Sequence, residues 1–495
     1  MKTRPNILFI MSDQHHADCL SVTGKRGVRT PNLDKLARSG VRFERAYSNN
    51  PICSPSRISF HTGQYCHTHG MLGNDHHMYE GETDETLGMR FRRHGYQTAL
   101  IGKSHMVGKW DRAGFEHIRY CDLCDAEPMN PCSNHYFKYL VDRGLADRYG
   151  EGSAAPDSDY TKNQHGIADL SYEHSIEHWT GEETLKFLAG RDKSKPFFVH
   201  MTFQRPHPPF TPAPEHKDMY DPAKIDLPAG SEDAYERDFA SKPAARKRRM
   251  QRRRVPPDHL RKILAAYYTL TTEIDAEIGR VLATLEQRGE LANTVVVYTA
   301  DHGDFAGDHG IFRKNIGTYE SIHRIPFLLA FPGCPSKVEE NAIIESVDLY
   351  PTLCELADIP VPDHVDGTSL LPVVGGRSEG KPFALSEWDR STGLLAALRT
   401  HEYRLVWQAD GAAGELYCHA TDPGELDNLW DDPAHAATRD ELLALLKTRT
   451  AAYAPRTTVQ RDRALGKQNE QTPTYQLHKH CAKWSDVKDR CRARA

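Results

Sequence analysis

Asn6-Ile7-Leu8-Phe9-Ile10-Met11-Ser12-Asp13 and, far downstream, Thr294-Val295-Val296-Val297-Tyr298-Thr299-Ala300-Asp301 share one plan: an unbroken apolar run that stops at an aspartate. A run apolar at successive positions reads as a strand buried on both faces, the environment of a mainly parallel sheet covered by helices. In such sheets ligands collect at the carboxyl ends of the strands. Asp13 and Asp301 both stand at such ends, so the two carboxylates could share one metal ion.

Outward from these runs, Thr98–Ile101, Pro196–Phe203 and Pro326–Phe331 are further candidates for buried strands, and Leu260–Arg288 carries a helical apolar period ending at Gly289. Thr30-Pro31-Asn32-Leu33 reads as a helix start, with Thr30 as cap, Pro31 in the first turn and Gly40 as the stop. The alternation of strand and helix predicts an α/β fold with a large, mixed, mostly parallel sheet sandwiched by helices. A chain of 495 residues exceeds what one core usually organises. A large α/β domain over 1–385 is therefore expected, with a smaller C-terminal α+β subdomain over 386–455. The polar tail over 456–495 reads either as an arm for homo-oligomer contacts or as a segment without a core of its own.

The formal charge of −5 is small for this length and the mean hydropathy is −0.64, which argues against binding nucleic acid or coating a membrane. Ile7–Met11 is too short for a signal peptide and ends at Asp13 instead of a small-residue cleavage site. No stretch approaches the roughly 20 apolar residues of a membrane span, and no Asn-x-Ser/Thr acceptor occurs. The eleven cysteines are odd in number and scattered from Cys19 to Cys491, a pattern of free thiols in a reducing compartment. A cytoplasmic location is expected. Cys121, Cys124, Cys132 and His135 have an order that could close a tetrahedral zinc site, although the two pairs stand closer than in common zinc modules; idle thiols in an insertion are the other reading. The basic run from Lys242 to Arg254 reads as a solvated face, or as a contact for an anionic substrate or an acidic neighbouring subunit.

Chemistry enters with Pro51-Ile52-Cys53-Ser54-Pro55-Ser56-Arg57 and the following Thr62-Gly63. Taken with the Asp13 strand, Gly102-Lys103-Ser104-His105, Pro206-His207-Pro208, Asp301-His302-Gly303, Asp348-Leu349-Tyr350-Pro351-Thr352 and Glu415-Leu416-Tyr417, it resembles, in order, the formylglycine-dependent type I sulfatases of the alkaline phosphatase superfamily. The resemblance implies that Cys53 is oxidised to formylglycine by a formylglycine-generating enzyme, and that Asp13, Gln14, Asp301 and His302 hold one divalent cation. It further implies that Arg57 holds the formylglycine, that Lys103 and Lys314 face sulfate oxygens, that His105 assists breakdown of a covalent intermediate and that His207 protonates the leaving alcohol. Asn74, His76 and His77, after the Gly63-Gln64-Tyr65 turn, are candidates for lining the substrate pocket.

Cleaving a sulfate ester needs a nucleophile, a sink for charge on the nonbridging oxygens and a proton for the departing alcohol. A hydrated aldehyde at Cys53 offers two hydroxyls, one to attack sulfur and one to expel sulfate afterwards, which a serine lacks. A hard cation on oxygen ligands can acidify the attacking hydroxyl and polarise the sulfate. Many family members carry a second carboxylate after the first and an asparagine after the later aspartate; here Gln14 and His302 stand there. That pattern resembles choline sulfatases and, in His302, phosphonate monoester hydrolases. One imidazole shifts metal preference toward manganese, so the cofactor is expected to be Ca2+ or Mn2+.

The expected activity is therefore hydrolysis of a small sulfate ester, with phosphonate monoester or phosphodiester hydrolysis at the same site as the alternative. A noncatalytic anion-binding role would require an unoxidised Cys53 and an empty metal site. For a quaternary ammonium ester, Tyr65, Trp110 and Tyr136 are available for an aromatic cage. Gly376-Arg377-Ser378-Glu379-Gly380 fits the letters of a serine-hydrolase elbow but lies in a polar loop without the required strand and helix. The glycines before Lys103-Ser104 are spaced too widely for a phosphate loop.

Overall fold

The structure, a computed structural model, describes residues 4–74, 85–105, 114–122, 134–148, 165–228, 231, 255–314, 318–390, 393–408 and 414–450. His76, His77, Trp110, Cys124, Cys132, the basic run and the 456–495 tail lie outside the described residues.

Strands β1 (Asn6–Asp13), β2 (Val41–Tyr47), β3 (Gln97–Gly102), β4 (His117–Tyr120), β5 (Phe197–Pro206), β6 (Thr294–Ala300), β7 (Phe327–Ala330) and β8 (Lys337–Glu345) form one eight-stranded sheet in the order β4-β3-β5-β1-β6-β7-β2-β8. β1 lies at the centre, parallel to β5 and β6, and only β7 runs against its neighbours. The sheet is thus the large, mixed, mostly parallel one expected. The principal helices are α1 (Pro31–Ser39), α2 (Cys53–Thr62), α3 (Ile176–Gly190), α4 (Pro257–Gln287), α5 (Leu349–Leu356) and α6 (Ala436–Thr450).

Side chains alternate across β1. Ile7, Phe9 and Met11 pack on one face with Ile58 and Phe60 of α2 and Leu353 of α5. Leu8 and Ile10 pack on the other with Leu33 and Leu36 of α1 and Ile274, Ile278 and Val281 of α4. Each such fully buried side chain contributes about 1.5–3 kcal/mol relative to exposure, so the central strand is clamped from both sides and its carboxyl end is held in place.

The start of α1 differs from expectation. Thr30 makes no side-chain cap, because its hydroxyl bonds Ser21. Asp275 of α4 caps the helix instead, accepting from the backbone N–H of Leu33 at 2.8 Å and of Asn32 at 3.1 Å. Gly40 ends the helix as predicted.

A second, antiparallel sheet of β9 (Ala384–Arg390), β10 (Gly393–Arg399), β11 (Tyr403–Gln408) and β12 (Gly414–Cys418) follows, in the order β12-β11-β10-β9. Leu442 and Leu446 of α6 cover Leu385, Leu398, Leu405 and Leu416 on one of its faces. Buried Arg404 of β11 donates to Glu425 Oε2 at 2.7 Å, and the backbone N–H of Glu320 donates to the same carboxylate oxygen at 2.9 Å, which ties this sheet to the main body. Among the described residues no helix is long and apolar enough to cross a membrane.

Candidate active site

The parallel register brings four loops together. Asp13 pairs with Pro206, Ser12 with Ala300 and Gly102 with Thr202, so the carboxyl ends of β3, β5, β1 and β6 stand side by side. Lys103, His207, Asp13 and Asp301 each lie at or just past one of these ends. Cys53 enters from below as the first residue of α2, whose ten residues are all buried. Ile52 offers that helix no side-chain cap. Asn50 Oδ1 accepts from the N–H of Ile52 at 2.9 Å and Asn74 Oδ1 from that of Ser54 at 3.1 Å, so two asparagines do what the cap residue cannot.

At the centre, Lys314 Nζ donates to Cys53 Sγ at 2.6 Å and to His302 Nε2 at 2.7 Å. Cys53 Sγ lies 3.2 Å from His302 Nε2 and 3.7 Å from Asp13 Oδ1. Lys103 Nζ is 2.7 Å from Asp13 Oδ2. Arg57, one turn beyond Cys53, bonds Asp301 Oδ2 at 2.8 Å, Asp13 Oδ2 at 3.3 Å, and the Lys103 carbonyl and Thr202 Oγ1 at 2.9 Å each. Its guanidinium thus works on the two strand-end carboxylates, and its hydrogen bonds go to them, to the Lys103 carbonyl just past β3 and to Thr202 of β5, not to Cys53.

Burial would raise the Asp13 carboxyl, but Lys103, His207, Lys314 and Arg57 together hold it well below the usual range. Burial and the neighbouring Asp13 charge push Asp301 up. Burial and Asp13 oppose ionisation of Cys53, and Lys314, Lys103 and His302 overcome them, so its thiol sits well below the ordinary value. His207 is depressed, first by burial and then by Lys314 and Lys103 against the pull of Asp13.

The donor set fits a divalent cation. Asp13, Cys53, Asp301 and His302 are fully buried and bring one donor atom each within 4.8 Å of one another. His302 Nδ1 donates to the Gly303 carbonyl at 2.8 Å, which makes Nε2 the acceptor atom, the tautomer a metal ligand needs. Nε2 takes the Lys314 hydrogen bond and lies 3.6 Å from Asp301 Oδ1 and 3.9 Å from Asp13 Oδ1. Gln14 Nε2 donates to Asp304 Oδ2 at 2.5 Å, while its buried Oε1 has no hydrogen-bond partner. A buried amide oxygen without a partner is a donor of the kind a hard cation takes as a ligand. Gln14 also adopts φ 65°, and its backbone N–H donates to Asp301 Oδ1 at 3.0 Å, so the left-handed backbone locks the two strand ends together.

The sequence-predicted residues divide by location. Asp13, Gln14, Cys53, Arg57, Asp301, His302, Lys103 and Lys314 form the buried cluster. His207 is half-buried, with Nδ1 donating to its neighbour's Pro208 carbonyl at 2.7 Å. His105 is also half-buried, at φ 47°. Asn74 is exposed and acts on the backbone of α2. Of the aromatic-cage candidates within the described residues, Tyr65 packs in the cluster under the C-terminal sheet and Tyr136 in a separate cluster with Trp179. Tyr65 OH donates to Glu345 at 2.5 Å and Tyr136 OH to the His174 carbonyl at 2.8 Å, and Lys381 Nζ already stands over the Tyr65 ring, 5.4 Å from its centroid. Cys121 is a buried thiol, raised well above its ordinary value by burial, and the metal-competent clusters among the described residues do not include it or His135. Ser378 of the Gly376–Gly380 segment accepts from the Gly380 N–H in an exposed loop, as a turn residue does.

Supporting groups that the sequence did not single out are Thr202 on Arg57, Asp304 on Gln14, and Ser48 and Ser56, whose hydroxyls donate to the Asp301 carbonyl at 2.7 and 2.5 Å. Glu320, His419 and Glu425 form a second cluster of ligand type. Arg399 and Arg324 pair with Glu320 and Arg404 with Glu425, so this cluster is already neutralised.

This sheet, with a buried carboxylate cluster at its carboxyl edge, defines a hydrolase of the alkaline phosphatase superfamily. Residues 5–359 match the model of the Sulfatase family, and residues 307–452 that of the N-sulphoglucosamine sulphohydrolase C-terminal region. An arylsulfatase of Clostridium perfringens is 31% identical over 90% of this chain and 94% of its own length. The solved phosphonate monoester hydrolase of Agrobacterium radiobacter superposes with a TM-score of 0.77 at 26% identity, covering 91% of this chain and 96% of that one. A structure in complex with its substrate D-glucosamine-2-N,6-O-disulfate superposes with a TM-score of 0.71 at 25% identity, covering 91% and 98%. The chain belongs to the sulfatase family and is a sulfuric ester hydrolase, a class generally dependent on a metal and on formylglycine.

Proposed function

We propose that this sulfatase hydrolyses a small sulfate ester in the cytoplasm, with Cys53 matured to formylglycine by a formylglycine-generating enzyme and one Ca2+ or Mn2+ held by Asp13, Gln14, Asp301 and His302. The observation that carries the reading is the contact of Cys53 Sγ with Lys314 and His302 inside the carboxylate cluster. The cation, when bound, supplies Lewis-acid polarisation of the ester and acidifies the attacking hydroxyl. Lys103 and Lys314 neutralise the nonbridging oxygens from two sides, and Arg57 holds Asp13 and Asp301 at their spacing. His207, with Nδ1 committed to Pro208, offers Nε2 to the leaving oxygen; the negative charge of a bound ester favours its protonated form. His105 serves the later release of sulfate. Free thiols at Cys19, Cys66, Cys121 and Cys354 suit a reducing compartment.

A second reading, hydrolysis of a phosphonate monoester or phosphodiester, is favoured by His302 and by the likeness to the Agrobacterium enzyme. Peptide mass spectrometry of the Cys53 segment, with initial rates on an aryl sulfate, a sulfated glucosamine, an aryl phosphodiester and an aryl phosphonate, tests both. Formylglycine with a sulfate fastest supports the first reading, and a phosphorus ester fastest supports the second. An unmodified, inactive Cys53 from a host that carries the oxidising enzyme refutes the two together.

A further inference from the structure

Arg205 lies at the carboxyl end of β5, buried, two residues before His207, and the chemistry described above gives it no task. Its guanidinium is spread over one turn. Nη1 donates to the carbonyl of His207 at 3.0 Å and, closer still, to that of Pro209, while Nη2 donates to Thr211 Oγ1 at 3.3 Å. The carbonyl between those two, that of Pro208, accepts from Nδ1 of the His207 ring at 2.7 Å. One nitrogen, Nη1, therefore pins the carbonyls on either side of the one that orients the imidazole, and Nη2 extends the grip to Thr211. On its other side Arg205 Nε faces Glu177 Oε1 of α3 at 3.8 Å, across a cavity also lined by Tyr136, Ser175 and Glu273. A buried guanidinium is costly to desolvate unless its donors are used, and here they are used on the His207 and Pro209 carbonyls and on Thr211 Oγ1. The Pro209 carbonyl also accepts from the Thr211 N–H at 3.1 Å, so the guanidinium reinforces a turn the backbone has begun. Lysine presents a single point charge and has no second, coplanar nitrogen with which to hold the carbonyls and Thr211 together.

We propose that Arg205 is the positioning residue for His207, fixing the ring so that Nε2 meets the leaving oxygen. The proposal rests on the reading of His207 as the proton donor. Misplacing a general acid by about an ångström costs roughly 10²-fold in rate, and the loss falls on substrates whose leaving group needs the proton.

The test measures kcat and KM of the mature, metal-loaded enzyme on aryl sulfates with phenols of graded acidity, for the wild type, R205Q, H207A and the double variant. R205Q is expected to lower kcat about 10²-fold for the least acidic phenols and far less for the most acidic, with KM and metal content near wild type. Adding R205Q to H207A is expected to change kcat little, because the two act as one unit. Equal loss on every substrate, or losses that multiply in the double variant, overturns the proposal. Failure of H207A to steepen the leaving-group dependence refutes the proton-donor reading itself, a separate result. If R205Q does not fold, R205K keeps the charge opposite Glu177 and is read the same way; a flat leaving-group dependence there overturns the proposal.

Discussion

Lys314 Nζ stands 2.6 Å from Cys53 Sγ and 2.7 Å from His302 Nε2, so a single ammonium touches both the cysteine proposed to carry the nucleophile and an imidazole beside the strand-end carboxylates. Lys103 reaches the same cluster from the opposite side, through Asp13. Under the proposed function the two lysines would enclose the place where charge develops on the ester. In a site this buried such charges act at low effective dielectric and need no reorganisation.

Replacing Lys314 by alanine is expected to reduce kcat by roughly 10²–10³, the scale set by removal of a single preorganised donor. Circular dichroism should be unchanged, and KM should move less than kcat. A variant within a few-fold of wild type would show that Lys314 does not face the reacting oxygens.

The orphaned Oε1 of Gln14 makes metal dependence specific to residues. Chelation should abolish turnover, with recovery on adding Ca2+ or Mn2+, and elemental analysis of D13N or D301N should show a large loss of bound metal. Q14L should bind more weakly while keeping its fold, since Asp304 retains the backbone N–H groups of Ala306 and Arg313 as donors. Full metal occupancy in D13N would remove that carboxylate from the ligand set.

Much of this site could be read from the chain because its parts are local. An apolar run ending in aspartate announces a buried strand and its carboxyl end together, and Cys53 and Arg57 share one helical turn. What escaped reading is set by long-range contact. Asp275 caps α1 from another helix because Thr30 is engaged with Ser21, and no spacing rule connects them. β2 went unrecognised because Arg42, Glu44 and Arg45 dilute its apolar pattern, as suits a strand beside the edge strand β8. Tyr65 and Tyr136 have the right composition for a cage, but the fold packs them in two different clusters, a separation that no local spacing announces.

Gly102 is the hinge on which Lys103 turns into the site. It adopts φ 110°, and a Cβ there would meet the Thr202 carbonyl oxygen at 1.7 Å, backbone that cannot yield without breaking the pairing of β3 with β5. G102A is expected to destabilise the protein by several kcal/mol, about the scale of combined strain and core overpacking, and to lose activity even where it folds. Thermal melting and turnover measured together check this; a stable, active G102A would mean that the loop has another route.

Glu177 makes stability depend on pH in the direction opposite to a salt-bridged carboxylate. Burial first, then Glu273 and Glu277, outweigh the opposing pull of Arg205 and raise its carboxyl to about 7, above the ordinary 4.5. The folded state therefore binds a proton that the unfolded chain has already released. Its contribution is fully present below the unfolded value, near 4.5, and is lost as pH rises through the folded value, near 7. The span corresponds to about 3 kcal/mol. E177Q imitates the protonated form and removes the titration, so its stability relative to wild type should rise across that window and level off above it. Denaturant unfolding of the two proteins at a series of pH values checks this, and parallel profiles would show that Glu177 ionises as readily in the fold as in the open chain.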